Sequence, residues 1–393
     1  MAALTEYQAQ QVRDLLAELV RIPSVNENKE HGDRNQSERE VSNYVEKYLS
    51  RIGMTVRRFP HAPGRDNLVA HWPDQTGTRT FAFQAHMDTV STENMSVAPF
   101  AAEIHDGKMW GRGTCDTKGS LAAFLTALSI ARERSLNFVD KVYFVATVAE
   151  ETGCKGAESL VESGFKVDAI AVGEPTGCKV ITAHKGTCWA CLEAAGKSCH
   201  GSLPHLGRNA IYAMAKAISF MENDYIPSLS NHEHPLLGSP TLSVGRIEGG
   251  VAANIVPASC RAELDFRTLP EQRSQSVHDD FLERLREAVK DESYALTNIH
   301  AQPGMDTPVE SPWVQNLLRA ASRHTGQSKP EGVNYYADSG PFNAAGMTCI
   351  VFGPGDIAQA HTAAEFLELD ELYRATEIAL DWLELATAHS LVA

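Results

Sequence analysis

Two histidines and five acidic residues of the 393-residue chain each end, or closely follow, an apolar or glycine-rich run. FAFQAHMDTVS (81–91) delivers His86 and Asp88 two residues apart. KVYFVATVAEE (141–151) ends in the neighbours Glu150 and Glu151, and VDAIAVGEP (167–175) delivers Glu174. The loop GRGTCDTKGS carries Asp116, and the turn GPGDIAQAH leads to His361. Imidazole with carboxylate is a donor set suited to Zn2+, and also to Co2+ or Mn2+. Gathered without a cation, the carboxylates would repel each other by roughly 1 kcal/mol per close pair in water and several-fold more near a protein surface. Divalent cations remove that cost, and one carboxylate can bridge two metals about 3.5–4 Å apart. Asp88 is spaced to accept a hydrogen bond from the imidazole nitrogen of His86 that faces away from a metal, which fixes its tautomer. Glu150 and Glu151, as neighbours, point in different directions. One can hold metal while the other takes the proton of a water acidified toward a pKa of about 7.

Each part has a blander reading. A lone HxD is often incidental, and paired glutamates at a strand end form a solvated corner. An Asp before a helix, as Asp116 is, serves as an N-cap. The conjunction argues for a site, because three strand ends and two Gly-rich turns would otherwise all be polar by accident. Cys188 and Cys191 form a CxxC, but no second CxxC accompanies it and the run reads as a strand, which favours packing. Cys199 beside His200 also looks like a metal pair. Cys115 neighbours Asp116 and could shape the site without holding metal. His184 and Lys185 fall at a domain junction, His205, His232 and His234 in solvated loops, and Trp110 and Trp382 in packing positions.

The elements that must position these residues alternate. Strand-like runs lie at 79–86, 141–151, 167–175 and 347–355, with helical patterns at 120–134 and 155–163 between them. Strands alternating with helices imply a mostly parallel sheet with helices on both faces, and ligands bind at the carboxyl ends of such strands. From about residue 184 to 300 the order becomes β-α-β-β-α-β, the ferredoxin-like arrangement, inserted into the first domain. That pattern resumes with a helix near 311–324 and closes with a helix from 369 to 389.

Composition narrows the class. Hydrophobic residues make up 43% and charged residues 22%, the balance of a soluble globular protein. The net charge of -15 argues against a nucleic-acid partner. No apolar run is long enough to span a membrane. The first twenty residues read as an amphipathic helix and not as a signal peptide, and the eight cysteines read as reduced thiols.

HMDTV, GRGTCDTKGSLAAFL, ATVAEETGCKG, VGEPT and the late His361 resemble the M20 family of dinuclear-zinc metallopeptidases and deacylases. The resemblance covers most of the chain, in order. It implies a zinc-peptidase-like α/β fold, a mostly parallel sheet sandwiched by helices. An inserted ferredoxin-like α+β lid and dimerisation domain at 184–300 would divide a catalytic domain into parts 1–183 and 301–393. It implies two divalent metal ions per chain, Zn2+ first and Co2+ or Mn2+ as alternatives. Asp116 would bridge them, His86 and Glu174 would complete one site, and Glu151 and His361 the other. Glu150 would be the general base, Asp88 would orient His86, and the Asp116-Thr117 bond would be cis.

Further blocks, among them GKSCHGSLPHLGRNAI, GRIEGGVAANIVPASCRAELDFRTLP and GVNYYADSGPF, look most like the acetylornithine deacetylases of that family. By that resemblance His200 would enter the partner subunit's site and stabilise the tetrahedral oxyanion. Asn254 and Arg267 would hold the substrate carboxylate, which an Arg fork suits. Asp338-Ser339-Gly340 departs from the deacetylases, which carry Thr-Glu before Pro-Phe in a loop lining the substrate side-chain pocket. The implied activity is metal-dependent hydrolysis of the amide bond of a small N-acyl amino acid, N-acetyl-L-ornithine to L-ornithine and acetate. The implied enzyme is a cytoplasmic homodimer joined through the inserted domain. Alternatives are a dipeptidase or carboxypeptidase, or a deacylase of succinyl-diaminopimelate or acetylcitrulline. A non-catalytic amino-acid-binding member is the reading from another class; such proteins lack a ligand or the base, and here all are present.

Overall fold

Four apolar runs become neighbouring parallel strands, in the order Lys141–Thr147, Thr80–His86, Ala169–Val172, Thr348–Val351. Ala169–Val172 is buried at every position, as is Thr80–His86 from Phe81 onward. Strands covered on both faces tolerate no polar alternation, which is why these runs are mainly apolar, with the buried Gln84 donating to Thr147 Oγ1 and Asp338 Oδ2. The structure, a computed structural model, describes residues 3–26, 37–136, 138–290 and 293–385. The chain forms two compact units, one of Met1–Thr182, Thr307–Glu331 and Ala337–Ala393, the other of Ala183–Asp306 and Gly332–Tyr336. The second unit thus runs past residue 300 and takes in a short later segment, where Lys185 N donates to Val333 O at 3.3 Å.

In the larger unit two antiparallel strands, Thr55–Ala62 and Arg65–His71, extend the sheet beyond Lys141–Thr147. Helix Lys118–Glu133 packs against helices Glu6–Arg21 and Leu369–Leu385 and against strand Thr80–His86. Phe124 of that helix stacks on Phe83 at 4.6 Å, and Trp382 lies 5.3 Å from Phe83. Burial of each such ring contributes roughly 1.5–3 kcal/mol. Helix Glu6–Arg21 starts at a capping box, with Thr5 and Gln8 bonding each other's backbone N–H. The last helix is described from Leu369 to Leu385, so the predicted 386–389 lie outside the described residues.

The strand ends fix the rim. His86 pairs with Thr147 in parallel register, so the carboxyl ends of both strands lie side by side. Strand Lys141–Thr147 ends before the strand-like run 141–151 does. Ala149 takes the left-handed conformation at φ 59°, which turns the chain before Glu150. Gly353 follows strand Thr348–Val351, and a Cβ there would lie 2.2 Å from Ser120 Oγ and 2.6 Å from Glu174 O, so only glycine fits.

The smaller unit is a four-stranded antiparallel sheet in the order Thr241–Gly249, Ser259–Thr268, Gly186–Ala195, Tyr294–Gln302. Helices Ala210–Phe220 and Ser274–Val289 pack on it, giving the β-α-β-β-α-β order. Its own core centres on Phe281, whose ring meets Tyr225 at 5.0 Å and Phe266 at 5.4 Å. The first helix of this unit is α-helical from Ala210 to Phe220, with Asn209 capping it, and continues as a π-turn over Met221–Tyr225.

Candidate metal centre

Asp116 lies between two histidines, one carboxylate oxygen facing each. His86 Nε2 is 3.1 Å from Asp116 Oδ1, and His361 Nε2 is 3.3 Å from Asp116 Oδ2. His361 Nε2 is also 3.1 Å from Glu151 Oε2, and His86 Nε2 is 4.0 Å from Glu174 Oε1. The structure therefore brings His86, Asp116, Glu151, Glu174 and His361 together from five separate segments. The bland N-cap reading of Asp116 is not observed: the helix N-cap is Thr117, without a side-chain cap bond. The Asp116-Thr117 bond is cis.

The donor set fits divalent cations on two grounds. Glu151 Oε1 and Glu174 Oε1 are buried and accept no hydrogen bond, a state that leaves the desolvation of a carboxylate oxygen uncompensated. The proton affinities also report crowded negative charge. Burial, then the charge of Asp116, push Glu151 up to about 7. The same two causes raise Glu174 well above the usual carboxylate range. His361 is lifted to about 10 by hydrogen bonds to Asp116 and Glu151. Burial opposes a charge on His86, yet its bonds to Asp116 and Asp88 hold it well above the ordinary imidazole value. Burial would likewise raise Asp116, but bonds from His361 and His86 hold it low. The group attracts positive charge from every side.

Asp88 acts here through more atoms than its spacing suggests. His86 Nδ1 lies 3.0 Å from the Asp88 backbone carbonyl and 3.5 Å from the carboxylate. A proton on Nδ1, donated to that carbonyl, leaves the Nε2 lone pair facing Asp116. The Asp88 carboxylate instead accepts the backbone N–H of Glu150 and of Glu151, each at 3.1 Å, and Asn26 Nδ2 at 2.6 Å. One residue fixes both the imidazole and the glutamate corner.

Glu150 is buried and makes none of the contacts to His86, His361 or Asp116. Cys154 Sγ donates toward its Oε1 at 3.6 Å. Burial raises its proton affinity well above that of an ordinary carboxylate, and Glu174, Glu151 and Asp338 add to the effect against the opposing charge of His86. Asp338 belongs to the segment that the resemblance assigns to a loop lining the substrate side-chain pocket. It is fully buried at the start of helix Ser339–Ala344 and accepts from Gln84 Nε2 at 2.8 Å and Thr147 Oγ1 at 2.6 Å. It therefore ties the ends of two central strands beneath Glu150.

The sequence reading passed over Arg112, Glu365, Asn26 and Gln84. Glu365 and Arg112 pair with each other and hold the Asp116 loop. The available signal was their position: Arg112 lies inside the Gly-rich loop, and Glu365 follows His361 by four residues.

Within the smaller unit, His200 is exposed and its Nδ1 lies 2.7 Å from Ser202 Oγ. Asn254 is exposed on the adjoining segment, where its carbonyl accepts from Gly201 N at 2.7 Å. Arg267 is half-buried on the strand Ser259–Thr268, gripped by Asp265 Oδ2 at 3.1 and 3.0 Å. Cys188 and Cys191 point to opposite faces of their strand and cannot share a metal; Cys188 Sγ lies 2.7 Å from His278 Nε2. His184 is fully buried, whereas His205 and His232 are exposed. His234 differs from the solvated reading: only 12% of its side chain is exposed, 3.5 Å from Asp306. All eight cysteines are free thiols.

The family model described as peptidase family M20/M25/M40 matches residues 82–385. An acetylornithine deacetylase of Edwardsiella ictaluri is 31% identical over 363 residues, covering 90% of this chain and 91% of its own. A probable succinyl-diaminopimelate desuccinylase of Staphylococcus epidermidis is 29% identical over 391 residues, with 91% and 93% covered. The crystal structure of a tripeptidase from Staphylococcus aureus shares the fold, with a TM-score of 0.80 at 22% identity over 96% of this chain and 98% of that one. Matched by that model over most of its length, the chain belongs to peptidase family M20/M25/M40 and is a metallohydrolase of amide bonds.

Proposed function

We propose that the enzyme hydrolyses the amide bond of N-acetyl-L-ornithine, releasing L-ornithine and acetate. The observation that carries the hydrolytic reading is Asp116 set between His86 and His361 while the buried Glu150 beside them takes no part in that contact. His86 and Glu174 would hold one divalent cation, Glu151 and His361 the other, with Asp116 shared. Zn2+ suits this set first, with Co2+ or Mn2+ as alternatives. Such cations supply Lewis acidity for the amide carbonyl and acidify the attacking water.

The chain's own groups do the rest. Glu150 takes a proton from the attacking water on its carboxylate and hands it to the amide nitrogen as the C–N bond breaks. Its raised proton affinity, caused first by burial, favours receipt of that proton. Asp88 keeps the Glu150 and Glu151 backbone in place. His200, with Nδ1 engaged by Ser202, has Nε2 available to donate to the oxyanion in the partner subunit of a homodimer joined through the inserted unit. Arg267, held by Asp265, and Asn254 would bind the substrate carboxylate. The deacetylase relative supports ornithine as the amine. No described helix is long and apolar enough to cross a membrane, and eight free thiols suit a reducing compartment, so the cytoplasm is the proposed location.

A second reading, removal of succinate from succinyl-diaminopimelate, is favoured by the desuccinylase relative. A panel of acetylornithine, acetylcitrulline, succinyl-diaminopimelate and unacylated dipeptides, run on metal-defined protein, decides between them. The highest kcat/KM is expected for acetylornithine. Efficient dipeptide cleavage without deacylation would overturn the proposal.

A further inference from the structure

The loop that carries Asp116 is held by one buried ion pair, and that pair reaches two other donor-bearing segments. Glu365 is fully buried, and its two oxygens accept four bonds. Oε2 takes Arg112 Nη1 at 2.7 Å and Gly113 N at 3.1 Å. Oε1 takes the backbone N–H of Cys115 at 2.9 Å and of Asp116 itself at 3.1 Å. Arg112 is 3% exposed and directs its other N–H groups outward along the chain. Its Nε donates to Ser91 O at 3.1 Å, in the segment that follows His86 and Asp88, and its Nη2 to Thr362 O at 3.3 Å, next to His361. The backbone N–H of Gly111 donates to the Glu365 carbonyl at 3.0 Å, closing the loop on the same segment.

We propose that the Arg112–Glu365 pair is the positioning device of the metal centre. It sets the Asp116 carboxylate between the two histidines and couples the binding of one cation to the other. The inference rests on the metal-centre reading above. Neither residue touches the reacting atoms; both act through Asp116. Stability alone is a poor account of the pair, because buried ion pairs can often be replaced by apolar residues without loss. A carboxylate that accepts the backbone N–H of the bridging residue and of its neighbour fixes how that residue leaves the loop. Groups that orient metal donors in this way typically change metal affinity by about 10–100-fold when altered.

The test titrates metal-free protein with Co2+, whose visible spectrum reports the donor set, and with Zn2+ against a chromophoric chelator. Glu365→Gln keeps the shape and removes the charge. The double variant Arg112→Met, Glu365→Gln leaves no unpaired buried charge, and Arg112→Lys keeps the charge but not the fork. Asp140→Asn breaks the Arg79–Asp140 pair, bonded at 2.8 and 3.0 Å near the opposite, amino end of the strands, and controls for stability. Circular dichroism and thermal unfolding accompany each titration. Glu365→Gln and the double variant are expected to bind the second equivalent at least about tenfold more weakly, with an altered Co2+ spectrum. Arg112→Lys should keep part of the affinity, and Asp140→Asn should lower the unfolding midpoint without changing either affinity. Wild-type affinities and spectrum in folded Glu365→Gln would overturn the proposal. Where Glu365→Gln does not fold, the double variant and Arg112→Lys decide by the same criterion. Asp116→Asn separates the two failures. If it loses metal while the pair variants do not, only the positioning claim falls; if it too binds two equivalents unchanged, the metal-centre reading falls.

Discussion

Glu150 combines burial with independence from the donor set, and that combination makes a sharp prediction at the scale of one residue. Glu150→Gln keeps the shape but cannot accept a proton. It should lower kcat by about 10²–10⁴-fold while metal stoichiometry stays at the wild-type value. Steady-state kinetics with metal analysis of the same sample checks both halves. A loss of metal in step with activity would make Glu150 a ligand instead. His184 gives a second residue-scale expectation. Burial lowers its pKa to about 4, against an ordinary 6.5, so the unfolded chain takes up a proton that the native His184 refuses. Its contribution to stability is fully present above pH 6.5 and is lost as pH falls toward 4, by about 3 kcal/mol in all. The unfolding midpoint of His184→Gln should therefore fall less between pH 7 and pH 5 than that of the wild type.

At the scale of elements, the site depends on strands that end in register over a packed core. Phe83 lies three residues before His86 and meets Phe124, Trp382 and Phe81. Phe83→Ala should destabilise the larger unit by about 3–5 kcal/mol, measured by urea unfolding. The same elements mark what was legible in the sequence. His86 and Glu174 could be read because each ends or closely follows a buried parallel strand that is mainly apolar, Gln84 being the polar exception. Glu150 and Glu151 could be read for the same reason, although the strand stops at Thr147 and Ala149 makes the final turn. Strand Thr55–Ala62 was illegible because it is only half-buried and carries arginines on a partly solvated surface, so neither periodicity nor apolar content announces it. Arg112, Glu365 and Asp338 were illegible for another reason. Each is defined by partners some 190 to 254 residues away in the chain, and no local pattern encodes such a meeting.

At the scale of the whole molecule, the proposed homodimer has a direct test. Glu150→Ala and His200→Ala each remove a different part of the chemistry. If His200 works in the partner's site, mixing the two inactive proteins under subunit exchange should restore part of the activity, because some hybrid sites then hold both groups. Absence of rescue, with exchange verified, would place His200 in its own subunit's site. The net charge of -15 makes association with an anionic partner unfavourable at low salt. It leaves the proposed acetylornithine, a small zwitterion, unimpeded.

The larger unit is assembled from stretches on both sides of the insertion, and its last central strand, Thr348–Val351, precedes His361. A ribosome must therefore translate past the whole intervening unit before the sheet can close. Until then the nascent polypeptide exposes the flank of Ala169–Val172 that the final strand will cover. Capture of divalent metal becomes an event of release and not of early synthesis, and prematurely terminated chains would leave the ribosome inert.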